Sequence, residues 1–126
     1  MSTIAEPTGL TIAEVAERTG TTPHTLRYYE RIGLVDVPRD AAGHRLYDDA
    51  AVGRVTFITC LRLTQMPIRE IARYIDLVHG GPATEPERLA LLEAHRAATA
   101  RRIEALAGAL DVIDFKITTY GGAMGS

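Results

Sequence analysis

Apolar and polar residues follow one another along the chain with the periods of four short helices and one long helix. The first apolar positions at helical spacing are Ile12, Val15 and Ala16, in the segment TIAEVAERTG. Thr11 precedes them as a candidate N-cap, with Glu14 three residues later as in a capping box. The segment ends at a glycine, a residue typical of helix C-termini. The pattern therefore predicts a short first helix after Thr11.

A second short helix is predicted directly after the first. In TPHTLRYYERIG the capping residue Thr22 is followed by Pro23, at the first helical position. The helix is expected to run to about Ile32, with Gly33 as its stop. Two short helices separated by a few residues around Gly20 are typical of a helix-turn-helix.

A small β-hairpin is predicted next, over residues 35–47. Two β-favouring segments, Val35–Arg39 and His44–Tyr47, flank the turn-forming sequence Asp40–Gly43. A hairpin in this position after a helix-turn-helix is called a wing, and that name is kept below for residues 35–47.

Two further helices follow the wing. Asp48 or Asp49 is expected to cap the third helix, which runs to about Leu63. Pro67 begins the fourth, IREIARYIDLVH, which ends at the pair Gly80–Gly81. The predicted fold class is mainly α, with a winged helix-turn-helix unit.

The last predicted helix begins near Thr84 and continues without a breaker to about Tyr120. Its seam alternates spacings of three and four, which is typical of a coiled coil. The apolar members of this seam are Leu89, Leu92, Ile103, Leu106, Leu110, Ile113, Ile117 and Tyr120. Arg96 and Thr99 interrupt it with polar groups. The alternative is a helix packed on its own domain, but so narrow a stripe favours a homodimer through an antiparallel coiled coil.

These elements divide the chain into two parts. Residues 10–81 are predicted to form the winged helix-turn-helix domain and residues 82–120 the dimerisation helix, while residues 1–9 and 121–126 are expected to be tails. No apolar run reaches the roughly 20 residues that span a bilayer, and no export signal is visible at the N-terminus. The expected location is therefore the cytoplasm, without a membrane partner.

Charge and cysteine content narrow the possible functions. The net charge of the 126 residues is −2, and the segment from His24 to Tyr47 contains four arginines and three acidic residues. Bulk electrostatics therefore does not indicate nucleic-acid binding, and geometry must gather the arginines on one face if DNA is the ligand. With Cys60 as the only cysteine, neither an intramolecular disulfide nor a multi-cysteine metal site is possible.

Four segments in order carry a family resemblance: TIAEVAERTG, TLRYYERIGL, GHRLYDDAAVGRV and MPIREIARYI. Together they resemble the DNA-binding domain of MerR-family transcription regulators, from about Leu10 to Leu77. The long helix matches the family's dimerisation helix in kind. The resemblance implies contacts with double-stranded promoter DNA, and the residues that it implies for them are His24, Arg27, Tyr29, Arg39, His44, Arg45 and Tyr47.

The two adjacent tyrosines receive different roles. Neighbours on a helix point about 100° apart, so Tyr28 is expected to pack inward and Tyr29 to face DNA. Arg27 and Tyr29 are the implied recognition-helix contacts, and Arg39 and Arg45 are the implied wing arginines that contact the DNA backbone. The alternative for each tyrosine, taken alone, is a residue of the domain core or its rim. The alternative for Arg31 with Glu30 is a solvated surface pair.

The resemblance also implies a mechanism. Members of this family act as dimers on promoters whose two recognition elements are spaced too far apart. They bend and untwist the spacer so that RNA polymerase can use the promoter. This corresponds to recognition through DNA deformation, with an effector that changes which protein conformation is favoured. A symmetric dimer predicts a roughly palindromic operator.

The candidate residue for sensing an effector is Cys60, in the segment FITCLRL. This feature resembles the short aldehyde- and electrophile-responsive branch of the family, whose members carry a cysteine in this third-helix motif. A thiolate adds to soft electrophiles, which suits such a sensor. The alternative is a buried structural cysteine, because Phe57, Ile58 and Leu61 read as core. No metal site and no cofactor are predicted.

Other classes of function remain as alternatives. An enzyme is not predicted, because no phosphate-binding glycine loop and no paired catalytic constellation are found. An excisionase-like architectural protein would bend DNA without activating transcription. A coiled-coil interaction adaptor would show no salt-dependent binding to its upstream DNA.

Overall fold

The computed structural model describes residues 9–121, which form five α-helices and divide into two compact units between Gly81 and Pro82. The helices begin and end within about one residue of the positions that the sequence pattern predicts, so the mainly α fold class is confirmed. They are α1 (Ile12–Thr19), α2 (Pro23–Arg31), α3 (Asp49–Leu63), α4 (Ile68–His79) and α5 (Glu85–Gly121), with a 3-10 turn at Pro82–Thr84 before α5.

Local capping explains where the short helices begin. Thr11 Oγ1 accepts a hydrogen bond from the Glu14 amide at 3.2 Å, and Glu14 Oε1 accepts one from the Thr11 amide at 2.8 Å. The predicted capping box is therefore present. Thr22 and Asp48 cap α2 and α3 by accepting from a backbone amide one turn later. Gly20 ends α1 with a φ of 72°, a left-handed conformation that glycine adopts without strain.

The apolar core of the described chain lies in the first unit. It is mostly aliphatic, and its two aromatic members are Tyr29 and Tyr47. Helices α1 to α4, the wing and two connecting segments supply its side chains, which are Val15, Ala16, Leu26, Tyr29, Leu34, Val35, Tyr47, Ala51, Val55, Ile58, Leu61, Met66, Ile71 and Ile75. The four short helices therefore form one packed body that positions α2 and the wing.

The wing turns back as predicted, but the two regular strands predicted for it are wrong. Arg39 and Arg45 form an isolated antiparallel bridge, and the Asp40 amide donates to the His44 carbonyl at 2.9 Å. Gly43 completes the turn with a φ of 86°. The Leu46 amide donates to the Pro38 carbonyl at 2.9 Å, but Pro38 has no amide hydrogen to donate in return, so the pairing does not extend into a ladder and the wing is a hairpin turn held by single bridges.

A second bridge ties the wing to the start of α1. Leu10 and Tyr47 exchange two backbone hydrogen bonds of 2.8 Å in an antiparallel arrangement. The preceding Gly9 lies so close that a Cβ there would be 2.6 Å from the Tyr47 carbonyl oxygen. Glycine at this position therefore allows the close approach of the two segments.

Helix α5 makes up most of the described part of the second unit. None of its described residues is buried, although it carries many large apolar side chains. Those with at least about half of their surface exposed are Leu89, Ile103, Leu106, Leu110, Val112, Ile113, Phe115, Ile117 and Tyr120. All of these except Val112 and Phe115 belong to the predicted seam.

Between residues 9 and 121, no helix combines the length and the apolar character that crossing a membrane requires.

Candidate nucleic-acid interface

Three arginines from separate segments surround one open hollow on the first unit. Arg27 comes from α2, while Arg39 and Arg45 come from the two sides of the wing. Thr11, at the start of α1, and His44, at the tip of the wing, also line this hollow. The fold thus collects positive charge locally in a chain whose net charge is −2. A concentration of arginines on one face is the arrangement that DNA phosphates require.

Glu30 joins two of these arginines to the second helix. Its Oε1 accepts a hydrogen bond from Arg45 Nε, and its Oε2 lies 3.3 Å from Arg39 Nη2. The carboxylate is only 19% exposed, compared with 30% for Arg45 and 45% for Arg39. The alternative of a solvated surface pair between Glu30 and Arg31 is therefore wrong. Arg31 lies over the Tyr28 ring instead, 5.5 Å from its centroid.

The tip of the wing is ordered by one aspartate. Asp40 Oδ1 accepts hydrogen bonds from the amides of Ala42 and His44, each at 2.9 Å. The Nδ1 of His44 also lies 3.6 Å from Asp40 Oδ2. The amide of His44, with a smaller contribution from that of Ala42, holds the pKa of the Asp40 carboxyl below its ordinary value. The turn therefore favours the ionised aspartate.

The orientation predicted for the tyrosine pair is wrong. Tyr29 is 5% exposed and Tyr28 is 37% exposed, so Tyr29 packs inward and Tyr28 faces outward. The cause is the buried face of α2, which is set by Leu26, three residues before Tyr29. Burial raises the pKa of Tyr29, against the opposing effect of the nearby Arg62. A DNA contact through the Tyr29 ring is not compatible with this position.

Tyr47 is also a core residue rather than an exposed wing contact. Its side chain is fully buried, and no hydrogen-bond partner is found for its hydroxyl within the described part of the chain. Burial raises the pKa of Tyr47, and the carboxylate of Glu30 acts in the same direction. Tyr47 is the last residue of the wing and anchors it in the core, so the expected direct contact of its ring with DNA is not compatible with this position.

His24 lies one turn before Arg27 and is exposed on the first part of α2. It does not line the hollow of the three arginines. The structure therefore brings together four of the predicted contact residues, Arg27, Arg39, His44 and Arg45, and leaves His24 outside the hollow, on the same helix as Arg27. Glu30 is the member of the cluster that the sequence interpretation missed.

Cys60 lies in the last turn of α3 with its thiol exposed. Its neighbours Ile58 and Leu61 are buried, as expected, and Phe57 contacts the Tyr74 ring with centroids 5.5 Å apart. The alternative of a buried structural cysteine is therefore wrong for this chain. In the part of the chain between residues 9 and 121, no three His, Cys, Asp or Glu side chains are grouped closely enough to hold a metal ion.

Comparison with known proteins gives a consistent picture. Residues 10–77 match the model of the MerR HTH family regulatory proteins, and residues 52–114 match the model described as MerR, DNA binding. The chain is 33% identical over 111 residues to an uncharacterized HTH-type transcriptional regulator of Haemophilus influenzae, which covers 87% of this chain and 82% of that protein. It is 38% identical over 88 residues to the HTH-type transcriptional regulator AdhR of Bacillus subtilis, which covers 69% of this chain and 63% of AdhR.

A solved structure agrees with these matches. HiNmlR, a MerR family regulator lacking the sensor domain and solved bound to promoter DNA, is similar with a TM-score of 0.81 and 33% identity. The similarity covers 92% of this chain and 94% of that one. The same family accounts for the winged helix-turn-helix, the long C-terminal helix and the four motifs in their order along the chain. The chain belongs to the MerR family of DNA-binding transcription regulators.

Proposed function

We propose that the protein works as a homodimer on a roughly palindromic promoter element, whose spacer it distorts to control transcription by RNA polymerase. The observation that carries the proposal is the convergence of Arg27, Arg39 and Arg45 on one face of the first unit. Phosphate contacts position such a protein on DNA, and side chains of α2 would read base edges in the major groove. The similarity to HiNmlR, which was solved on promoter DNA, supports this proposal.

The dimer rests on the exposed seam of α5. Ile103, Leu106, Leu110 and Ile113 are each more than half exposed, and together they cover consecutive turns of one helix face. Single helices with such an apolar stripe associate in water because association removes apolar surface from solvent. A second copy, packed antiparallel, offers a seam of the same composition. Two identical units would then face two halves of a palindrome.

The signal in this proposal is a small electrophile that reacts with Cys60. The thiol is exposed, so a reagent in solution can reach it. With an aldehyde, the thiolate sulfur would bond to the carbonyl carbon and the carbonyl oxygen would take a proton, which gives a hemithioacetal. Such an adduct changes the outer surface of α3, in the unit that carries the arginines. The change would favour one of two DNA-bound conformations.

DNA binding is tested by fluorescence anisotropy with a duplex from the protein's own upstream region and a scrambled duplex of equal length. Arg45→Ala should weaken binding to both duplexes by about tenfold and lower the slope of log K against log salt by about 1. Arg69→Ala is the matched control, because Arg69 is exposed on α4, away from the hollow. Unchanged affinity of Arg45→Ala would contradict a phosphate contact by Arg45.

The regulatory part is tested by transcription in vitro from that upstream promoter, with and without formaldehyde, using wild type and Cys60→Ser. We expect induction in the wild type and none in the variant, with equal DNA affinity in the absence of aldehyde. Induction that survives the substitution would rule out Cys60 as the sensor. Binding without any change in transcription would instead indicate an architectural DNA-bending protein.

A further inference from the structure

A negatively charged group in a DNA interface needs an explanation. Glu30 lies within the cluster of arginines that we propose contacts DNA, yet its charge opposes the approach of phosphates. Non-specific affinity for DNA depends mainly on the number of phosphates that a protein neutralises, so Glu30 should reduce it. The contacts of this carboxylate within the protein indicate what it contributes instead of attraction.

The geometry shows what Glu30 provides. One oxygen holds Arg45 and the other holds Arg39, so a single carboxylate fixes both sides of the wing to α2. The bond to Arg45 uses Nε, which fixes the plane of the guanidinium and leaves its two terminal nitrogens available to a ligand. An arginine held in this way loses less side-chain entropy when it binds a phosphate. It can also bind only those phosphates that lie where its terminal nitrogens point.

The surroundings of Glu30 make the arrangement stiff. Glu30 is mostly buried, at 19% exposure, and the closed bridge between Arg39 and Arg45 keeps their backbones side by side. The last residue of the wing, Tyr47, is fully buried and anchors that end of the wing in the core. The distance between the recognition helix and the wing arginines is therefore set within the protein, before DNA arrives.

We propose that Glu30 is a positioning residue that sets DNA specificity by fixing Arg39 and Arg45 relative to α2. It lowers attraction to arbitrary DNA through its charge, and it favours DNA whose phosphate spacing fits the fixed arginines. This inference rests on the proposed function, because it assumes that the arginine face binds DNA.

The test compares full-length wild type with Glu30→Gln, Glu30→Asp and Glu70→Gln on specific and scrambled duplexes over a range of salt concentrations. Glu30→Gln keeps the size but loses the charge. Glu30→Asp keeps the charge but is one methylene too short to reach both arginines. Glu70→Gln is the control, since Glu70 is an exposed carboxylate on α4 with no ion pair among the described side chains.

For Glu30→Gln we expect tighter binding to scrambled DNA, with a salt slope steeper by about 0.9. The ratio of specific to scrambled affinity should fall by about tenfold, the effect of one mismatched base pair. For Glu30→Asp we expect the ratio of specific to scrambled affinity to fall as well, while the salt slope stays the same. The control Glu70→Gln should leave both the salt slope and the ratio of specific to scrambled affinity unchanged.

Two results would overturn the inference. One is an unchanged specificity ratio in both Glu30 variants. The other is weaker binding to both duplexes by an equal factor with no change in slope, which a purely structural role produces. If Glu30→Gln does not fold, as judged by circular dichroism, Glu30→Asp decides the question. Failure of the proposed function itself would be recognised separately, since wild type would then show no preference for its upstream duplex.

Discussion

The two units of this chain are stabilised in different ways. The first unit contains all fourteen buried apolar side chains found in the described chain, although its helices are short. Helix α5 is the longest element, at 37 residues, and none of its described residues is buried. Short helices become stable by packing on one another, whereas a long single helix with exposed leucines and isoleucines depends on a partner. The first unit should therefore hold its structure independently of association, and α5 should not.

The largest difference between the two units should appear when a cavity is made in the core of the first unit. Ile58 is fully buried on α3, so Ile58→Ala should reduce the free energy of unfolding by about 4 kcal/mol. Amide hydrogen exchange in α3 should accelerate by about 1,000-fold, while exchange in α5 stays the same. Leu63→Ala, at a site that is 80% exposed, should change stability by less than about 0.5 kcal/mol. Equal acceleration in α5 would show that the two units unfold as one.

A charge in the seam of α5 should have a slightly smaller effect, and this effect should fall on association through α5 rather than on the stability of the first unit. In Ile113→Asp the carboxylate would be buried in the proposed dimer interface without a partner. The dissociation constant of the dimer should rise at least about 100-fold, or about 3 kcal/mol. Val112→Asp is the matched control, because this neighbour lies about 100° around the helix, away from the seam. Sedimentation equilibrium measures both variants, and equal losses would show that the seam is assigned incorrectly.

Loss of a helix cap should affect only the first unit. Thr11→Ala removes the oxygen that accepts from the Glu14 amide, at an expected cost of about 1 kcal/mol. Chemical denaturation should show the loss, while sedimentation should show an unchanged dimer. Thr118→Ala, at an exposed position inside α5, serves as the control and should not lower stability. A weaker dimer in Thr11→Ala would indicate that α1 contributes to association.

The smallest expected effect is a pH dependence of the wing tip. Because the folded turn lowers the pKa of Asp40, its stabilisation is complete above the ordinary aspartate pKa of 3.8. It is lost as the pH falls through the folded value. The amides of Ala42 and His44 should then lose protection, as measured by NMR, while those of α5 do not. In Asp40→Asn this transition should disappear, and its persistence would point to another carboxylate.

Local chemistry made much of the fold predictable from the sequence. Thr11 with Glu14, Pro23 and Asp48 mark helix starts through contacts within one turn, so neighbouring residues are enough to find them. The two isolated bridges of the wing were less predictable, because strand pairing depends on how many residues face one another in the folded chain.

The candidate site was predictable in part. The arginines at 27, 39 and 45 were found by resemblance, and the fold brings them together. The orientation of Tyr29 was wrong although Leu26, three residues earlier, indicates the buried face of α2. The pairing of Glu30 with Arg45 was missed for a different reason. These residues are 15 positions apart, and only the folded wing brings them into contact.

The contact between Glu30 and the wing has a consequence for protein engineering. A helix from this protein that is transplanted alone into another regulator would carry a carboxylate without its two cationic partners. The smallest part that can be exchanged intact is therefore residues 22–47, which contain the helix with its cap, the arginines and the whole wing. Chimeras built from that whole segment should transfer operator preference more faithfully than chimeras of the helix alone.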